Sequence, residues 1–322
     1  MAICIRYRKA LRIMGSLLVL WMFTSAGSVF GLTTQEIEQI VEQFFPPRLI
    51  NESETDFQQG GPAPFRARAF ELADLDGTGT ANYIVAAYTN GFSAAIRVLR
   101  LQEGTAVLVS EPNLRLLSGI FPAVKLVDIE NDGRPEVSVH FSSARGSLFD
   151  WVFRWTGTEL RLIGPASVDE HGDVFTALVD SGFFDVDGDG TLEIVDYPDE
   201  TETLKIYRFD GQKFTLTKSL IFFSTFYRHA GTPLLQTAEF EVAKPGATFV
   251  LTIVNGDRNG DNRVSSGTVR LNGVQVLSPN DLNQQVRKVV RQVTVLANNL
   301  LEVELESKPS GQILVTIEPP PQ

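Results

Sequence analysis

The sequence predicts an all-β protein with one short N-terminal helix, and three observations carry that reading. Apolar residues alternate with polar ones through most of the chain after residue 65, the spacing of strands that turn one face inward. Gly, Asn and Asp residues punctuate these runs at short intervals, where turns are needed. Three segments in the middle of the chain also repeat one another, which marks a modular array.

The repeat aligns ELADLDGTGTANYIVAAY, KLVDIENDGRPEVSVHF and GFFDVDGDGTLEIVDY on Asp74, Asp128 and Asp185, 54 and 57 residues apart. A hairpin follows in each unit, as VLRLQEGTAVLV, VFRWTGTELRLI and IYRFDGQKFTLT. Arg100, Arg154 and Arg208 fall 54 residues apart in these hairpins, with Gly104, Gly157 and Gly211 in the turns. Two landmarks recurring in one order are far harder to obtain by chance than one. Each unit reads as four short strands, in the first unit at 66–73, 82–88, 94–101 and 105–110. Four strands in a unit of about 50 residues is the pattern of a propeller blade.

The loop after the first strand of each unit has the composition of a cation site. Calcium takes six to eight oxygen ligands at about 2.3–2.6 Å. A tight loop can supply them from side chains at positions 1, 3 and 5, a carbonyl at 7 and a carboxylate at 9. In the third unit these are Asp185, Asp187, Asp189, the carbonyl of Thr191, and Glu193; in the second, Asp128, Glu130, Asp132, the carbonyl of Arg134, and Glu136. Glu130 is one methylene longer than the Asp expected there. The first unit offers Asp74, Asp76, Thr78 and Asn82, with two formal charges, and reads as a turn that has lost its ion. Gly188 and Gly190 supply the positive φ values that turn the carboxylates inward. The bland alternative is a solvated acidic turn.

The pattern D-x-D-x-D-G-x-x-E followed by a strand resembles the FG-GAP, or VCBS, repeats of integrin-like β-propellers over about residues 65–220. The match is best at Asp185–Glu193, good at Asp128–Glu136 and weakest at Asp74–Asn82. The resemblance implies calcium bound between the first and second strands of a blade. Rings typically hold about four to eight blades, so three units imply a partial or small propeller, or a half-ring completed by a second copy. An EF-hand fits the third loop to position 12, but EIVDYPDETET leads into a strand and a proline where that motif needs a helix.

The ends read differently. Arg6, Arg8, Lys9 and Arg12 precede an apolar run from Ile13 to Phe23 and then TSAGS. That is the form of a signal peptide, residues 1–28, cleaved after Ala26 or Ser28, with an uncleaved anchor as the alternative. The expected location is therefore secreted, periplasmic or cell-surface, with no membrane span after cleavage. Residues 32–64 read as a capping helix and a linker: Thr33 with Glu36 forms a capping box, Ile37, Ile40, Val41 and Phe44 form one stripe, and Pro46 and Pro47 stop the helix. The repeats occupy 65–222, and 234–319 reads as a sandwich of six or seven strands resembling bacterial immunoglobulin-like modules, with a hairpin turn at Asn272-Gly273. NGDRNGDNR, Asn255–Arg263, echoes the acidic loops but lacks the late carboxylate and reads as a loop.

Composition narrows the function. Net charge is −11 for the whole chain, and about −15 once the four basic residues of the signal are gone, which disfavours a nucleic-acid partner. The single cysteine, Cys4, lies in the signal, so stability must come from core burial or bound ions. The three histidines, His140, His171 and His229, have no metal-ligand spacing, and there is no HExxH or GxSxG motif. His140 reads as structural. Trp151 and Trp155 share one face of a strand with Phe153 and read as core, or as a contact surface if exposed. The acidic clusters at 169–171 and 199–202 read as loops. The expected function is binding or adhesion by a calcium-stabilised, non-catalytic module with an unidentified protein or glycan ligand; the alternative is an extracellular polysaccharide hydrolase or lyase with the repeats as scaffold.

Overall fold

The computed structural model describes residues 3–6, 32–44 and 68–320, apart from short stretches at 90–92, 103–104, 113–114, 118–120, 143–147, 169–172, 177, 179, 198–202 and 307–308. Most of the segment expected to be a signal, the segment expected to be a linker and the acidic clusters at 169–171 and 199–202 lie outside the described residues, as does the Gly104 turn. The protein is mostly β, in several largely antiparallel sheets. Among the described residues no helix is long and apolar enough to cross a membrane.

A strand, β1 (Ile3–Arg6), and a helix, α1 (Thr34–Gln43), precede the repeats. Thr33 caps α1 as its sequence demands: its hydroxyl accepts from the Glu36 amide at 3.3 Å, and its own amide donates to the Glu36 carboxylate at 2.6 Å. The first unit contains β2 (Arg68–Ala73), β3 (Tyr83–Thr89), β4 (Ser93–Gln102) and β5 (Thr105–Ser110), each paired antiparallel to the next. After a short β6 (Arg115–Leu117), the second unit contains β7 (Phe121–Val127), β8 (Glu136–Ser142), β9 (Leu148–Trp155) and β10 (Leu160–Leu162). Two further short strands, β11 (Ala166–Val168) and β12 (Asp173–Thr176), lead to the third unit, β13 (Ser181–Phe184), β14 (Glu193–Asp196), β15 (Leu204–Phe209) and β16 (Phe214–Leu220). The sequence reading missed β6, β11 and β12. They extend the first sheet, with β6 pairing to β4, β12 parallel to β6, and β11 on β12, so the connections between units are themselves hydrogen-bonded.

Period-two alternation makes every repeat sheet two-faced. In β3, Tyr83, Val85 and Ala87 face a core shared with Val137, Val139, Phe141, Trp151 and Phe153 of the second unit, while Ile84 and Ala86 face Ile37 and Val41 of α1. In β9, Val152 turns the other way and joins Ile129, Ile163, Ile194, Tyr207 and Phe209 between the second and third units. In the third unit Val195, Leu204 and Ile206 pack on Phe223, Val254 and Leu314 of the C-terminal region. The order of layers is therefore helix, three repeat sheets, C-terminal sheets, with apolar side chains filling each junction.

The C-terminal region is two sheets around one core. It contains β17 (Phe222–Tyr227), β18 (Leu235–Glu241), β19 (Thr248–Asn255), β20 (Gly267–Leu271), β21 (Val274–Leu277), β22 (Lys288–Thr294), β23 (Asn298–Leu305) and β24 (Gln312–Glu318). One sheet runs β1-β18-β23-β20-β21 and the other β17-β24-β19-β22; both contribute to a common cluster that includes Phe222, Phe240, Leu251, Val269, Leu301 and Val315. The β20–β21 turn sets Asn272 and Gly273 at positive φ, as the dipeptide predicts. Leu301, Val303 and Leu305 are buried while the intervening glutamates reach toward solvent. The sandwich includes β17, upstream of residue 234. β1 pairs parallel to β18, with Ile3 opposite Gln236.

Because α1 covers the outer face of the first sheet, replacing Ile37, which is 5% exposed, by Ala should cost about 2 kcal/mol of unfolding free energy. Denaturant unfolding would show it; a loss below about 0.5 kcal/mol, the size of an ordinary surface change, would mean that the helix does not close the array.

Candidate metal centre in the third acidic loop

The three acidic loops sit at equivalent places, between the first and second strands of each unit, and share one backbone form. Gly77 and Gly79, Asn131 and Gly133, and Gly188 and Gly190 all take positive φ. The leading Asp closes each loop by accepting amide hydrogens: Asp74 from Thr78 and Gly79, Asp128 from Asp132 and Gly133, and Asp185 from Gly188 and Gly190, at 2.6–3.0 Å. In the second and third loops the late Glu closes the other end. Glu136 accepts from the Ile129 amide at 3.0 Å and Glu193 from the Val186 amide at 2.9 Å. Asn82 in the first unit lacks that carboxylate.

In the third loop, Asp185, Asp187 and Glu193 bring one carboxylate oxygen each within 4.8 Å of one another. Opposite ligands of a calcium ion stand about 5 Å apart, so the three oxygens fit one coordination sphere. Asp185 and Glu193 are buried, 7% and 1% exposed. Glu193 spends one oxygen on Val186; its other, Oε1, is buried without a hydrogen-bond partner, with Arg208 Nη1 3.9 Å away. A buried carboxylate oxygen without a partner is costly, and an all-oxygen anionic donor set suits a hard cation. Burial pushes the Glu193 carboxyl up to about 7 and raises that of Asp185.

None of the remaining predicted carboxylate ligands joins this triad. Asp189 is outside the triad: its Oδ1 accepts from Thr191 N at 2.8 Å and its Oδ2 from Arg208. Arg208 also holds Asp187 Oδ2 at 2.8 Å. In the second loop the carboxylates are drawn to Arg154, whose Nε and Nη2 donate to Glu136 Oε1 at 2.8 and 2.5 Å and whose Nη2 also donates to Glu130 at 2.7 Å. Asp132 accepts from the Arg134 amide at 2.9 Å. In the first loop Thr78 donates to both Asp74 and Asp76, and the Tyr83 hydroxyl reaches Asp76 at 3.4 Å.

Arg154 and Arg208 are thus built-in counter-ions, a role the 54-residue spacing flagged without giving it. Register explains the difference between units. Val137 pairs with Phe153 and Ile194 with Tyr207, so one step along sets Arg154 opposite Glu136 and Arg208 opposite Glu193. In the first unit Tyr83 pairs with Arg100, one residue further on, and Arg100 lies over the Tyr83 ring at 5.6 Å.

Two arginines from the sandwich also reach these loops, and nothing in the sequence marked them for it. Arg287 donates to Asp185 Oδ2 at 2.6 Å, to the Gly188 carbonyl at 2.5 Å, and to the carbonyls of Asp257 and Arg258 at 3.0 and 2.9 Å. Arg258 donates to the carbonyls of Asp128 and Ile129. The loop Asn255–Arg263 is therefore a docking element; its Asp257 carboxylate is consumed within the loop by Asn259, Asp261 and Asn262.

His140 and the tryptophans are structural. His140 Nδ1 meets Asp150 Oδ1 at 2.6 Å, and Asp150 Oδ2 accepts from the Ser181 amide and hydroxyl at 2.9 and 2.6 Å. The serine bonds the carboxylate rather than the imidazole, the wrong order for nucleophile activation, and the trio ties the second unit to the third. Trp151 is 1% exposed and Trp155 is partly buried 5.4 Å from the Tyr83 ring, so these rings fill the core. No family model and no curated protein matches this chain.

Without metal, Glu193 holds a proton in the folded state at pH values where the unfolded chain has released it. The folded state then binds more protons, so stability falls as pH rises from about 4.5 to about 7, by up to roughly 3 kcal/mol. Glu193→Gln should remove this part of the profile in chelator-treated protein. Identical slopes for the two proteins in pH-dependent unfolding would show that Glu193 is not strained.

Proposed function

We propose that this chain is an exported, calcium-stabilised β-repeat protein that acts by binding, as an adhesion or scaffold module for a protein or glycan ligand. The observation that carries it is the unpartnered, buried Oε1 of Glu193 beside Asp185 and Asp187. Calcium would be held by these three carboxylates and would relieve their burial and mutual repulsion. The repeat sheets are read as three blades of a partial propeller and the C-terminal sheets as an immunoglobulin-like sandwich. Both end faces of the array, where a ring-completing copy would have to dock, are covered by α1 and by the sandwich, so the working unit is read as a capped monomer. The net charge and the basic, apolar N-terminal segment support export and argue against a nucleic-acid partner.

Calcium at a hundred times its dissociation constant should stabilise the protein by about 2.7 kcal/mol, a rise in Tm of roughly 5 °C. Asp187→Ala should abolish the rise. A thermal scan that is the same with millimolar calcium and with chelator, for wild type and variant alike, would falsify the proposal.

A further inference from the structure

The second and third loops carry the same number of carboxylates and each has an arginine in the equivalent strand position, and the third has Arg287 on Asp185 besides, at 2.6 Å, so formal charge does not single out the third loop for a cation. The placement of the guanidinium does. Arg154 spans Glu130 and Glu136, and together with the Ile129 amide it satisfies both oxygens of Glu136. Its guanidinium carbon also lies 4.2 Å from the centre of the Phe209 ring of the third unit, a cation–π contact that holds it in the junction. Arg208 instead engages Asp187 and Asp189 toward the rim, with a side chain 40% exposed against 24% for Arg154, and stays 3.9 Å from Glu193. The extra methylene of Glu130 lets its carboxylate share Arg154 with Glu136.

We propose that Arg154 takes the place of the metal in the second loop, so that the protein binds one calcium ion, at the third loop, and that removing this guanidinium opens a second site at Asp128, Glu130 and Glu136. A planar fork with fixed donors fills a paired-carboxylate site as a cation does, at no dependence on ion concentration. Replacing Arg154 by Gln leaves Glu136 Oε1 in the condition of Glu193 Oε1: buried, with its fellow oxygen on a backbone amide. The inference rests on the metal reading of the third loop for its count of one, but its test separates the two.

Isothermal titration of the full chain with calcium, after chelator treatment, gives the count directly. One ion is expected for wild type, two for Arg154→Gln, and one again for Arg154→Gln with Glu136→Gln. Two ions on wild type, or no additional ion on Arg154→Gln, would overturn the role of Arg154. None on wild type but one on Arg154→Gln would sink the third-loop reading and leave the Arg154 inference standing. If Arg154→Gln is recovered folded only in calcium, the number of ions on the folded variant decides: one more than on wild type upholds the inference and no additional ion overturns it; if calcium does not fold it either, the inference fails.

Discussion

The structure depends on what neutralises a carboxylate buried at the start of a strand. Glu136 and Glu193 each reach back across their loop to one backbone amide, Ile129 or Val186, and so fix the geometry of the turn. Reaching that amide takes the carboxylate out of water, and burial dominates the raised pKa of both groups. A charge so placed needs a partner of opposite sign. The strand register supplies one in each case, but only Arg154 closes the contact.

Around these loops the rest of the array is assembled by a simpler rule. Each repeat sheet is apolar on both faces, so none is stable with an open side, and the layers continue until something with one polar face ends them. At one end that is α1, whose apolar stripe is Ile37 and Val41. At the other it is the sandwich, which brings its own core and presents Phe223, Val254 and Leu314 to the third sheet. The second and third acidic loops take part in this second junction: they are tied to each other by the Leu192 amide donating to the Ile129 carbonyl at 3.0 Å, and Arg258 and Arg287 fasten the sandwich to them. A cation at Asp185 would thus sit in an interface, which suits a structural ion better than a sensor's.

Much of this was legible in the sequence because period-two alternation and turn chemistry are local. The four strands of the first unit fall within two residues of their expected places, and the capping box of α1 and the Asn272-Gly273 turn follow from two or three residues each. The loop chemistry was legible in composition but not in outcome. Positions 1, 3 and 9 of the third loop converge, whereas Asp189 turns to Arg208, because a counter-ion 19 residues away competes with the loop's own geometry. Arg258 and Arg287 were not legible at all: their partners lie about a hundred residues or more away in the chain, and no local pattern encodes a contact between domains. The short β6, β11 and β12 were missed for a related reason, since three or four residues carry too little periodicity to be read without the strands they pair with.

The central claim, that the third loop holds a metal while a guanidinium fills the second, is tested most directly by a crystal structure grown in calcium and phased to show anomalous scatterers. One calcium peak is expected, with Asp185, Asp187 and Glu193 Oε1 at about 2.3–2.6 Å from it and Arg154 still bridging Glu130 and Glu136. A third loop without a peak, or a peak at Glu136 with Arg154 displaced, would contradict it.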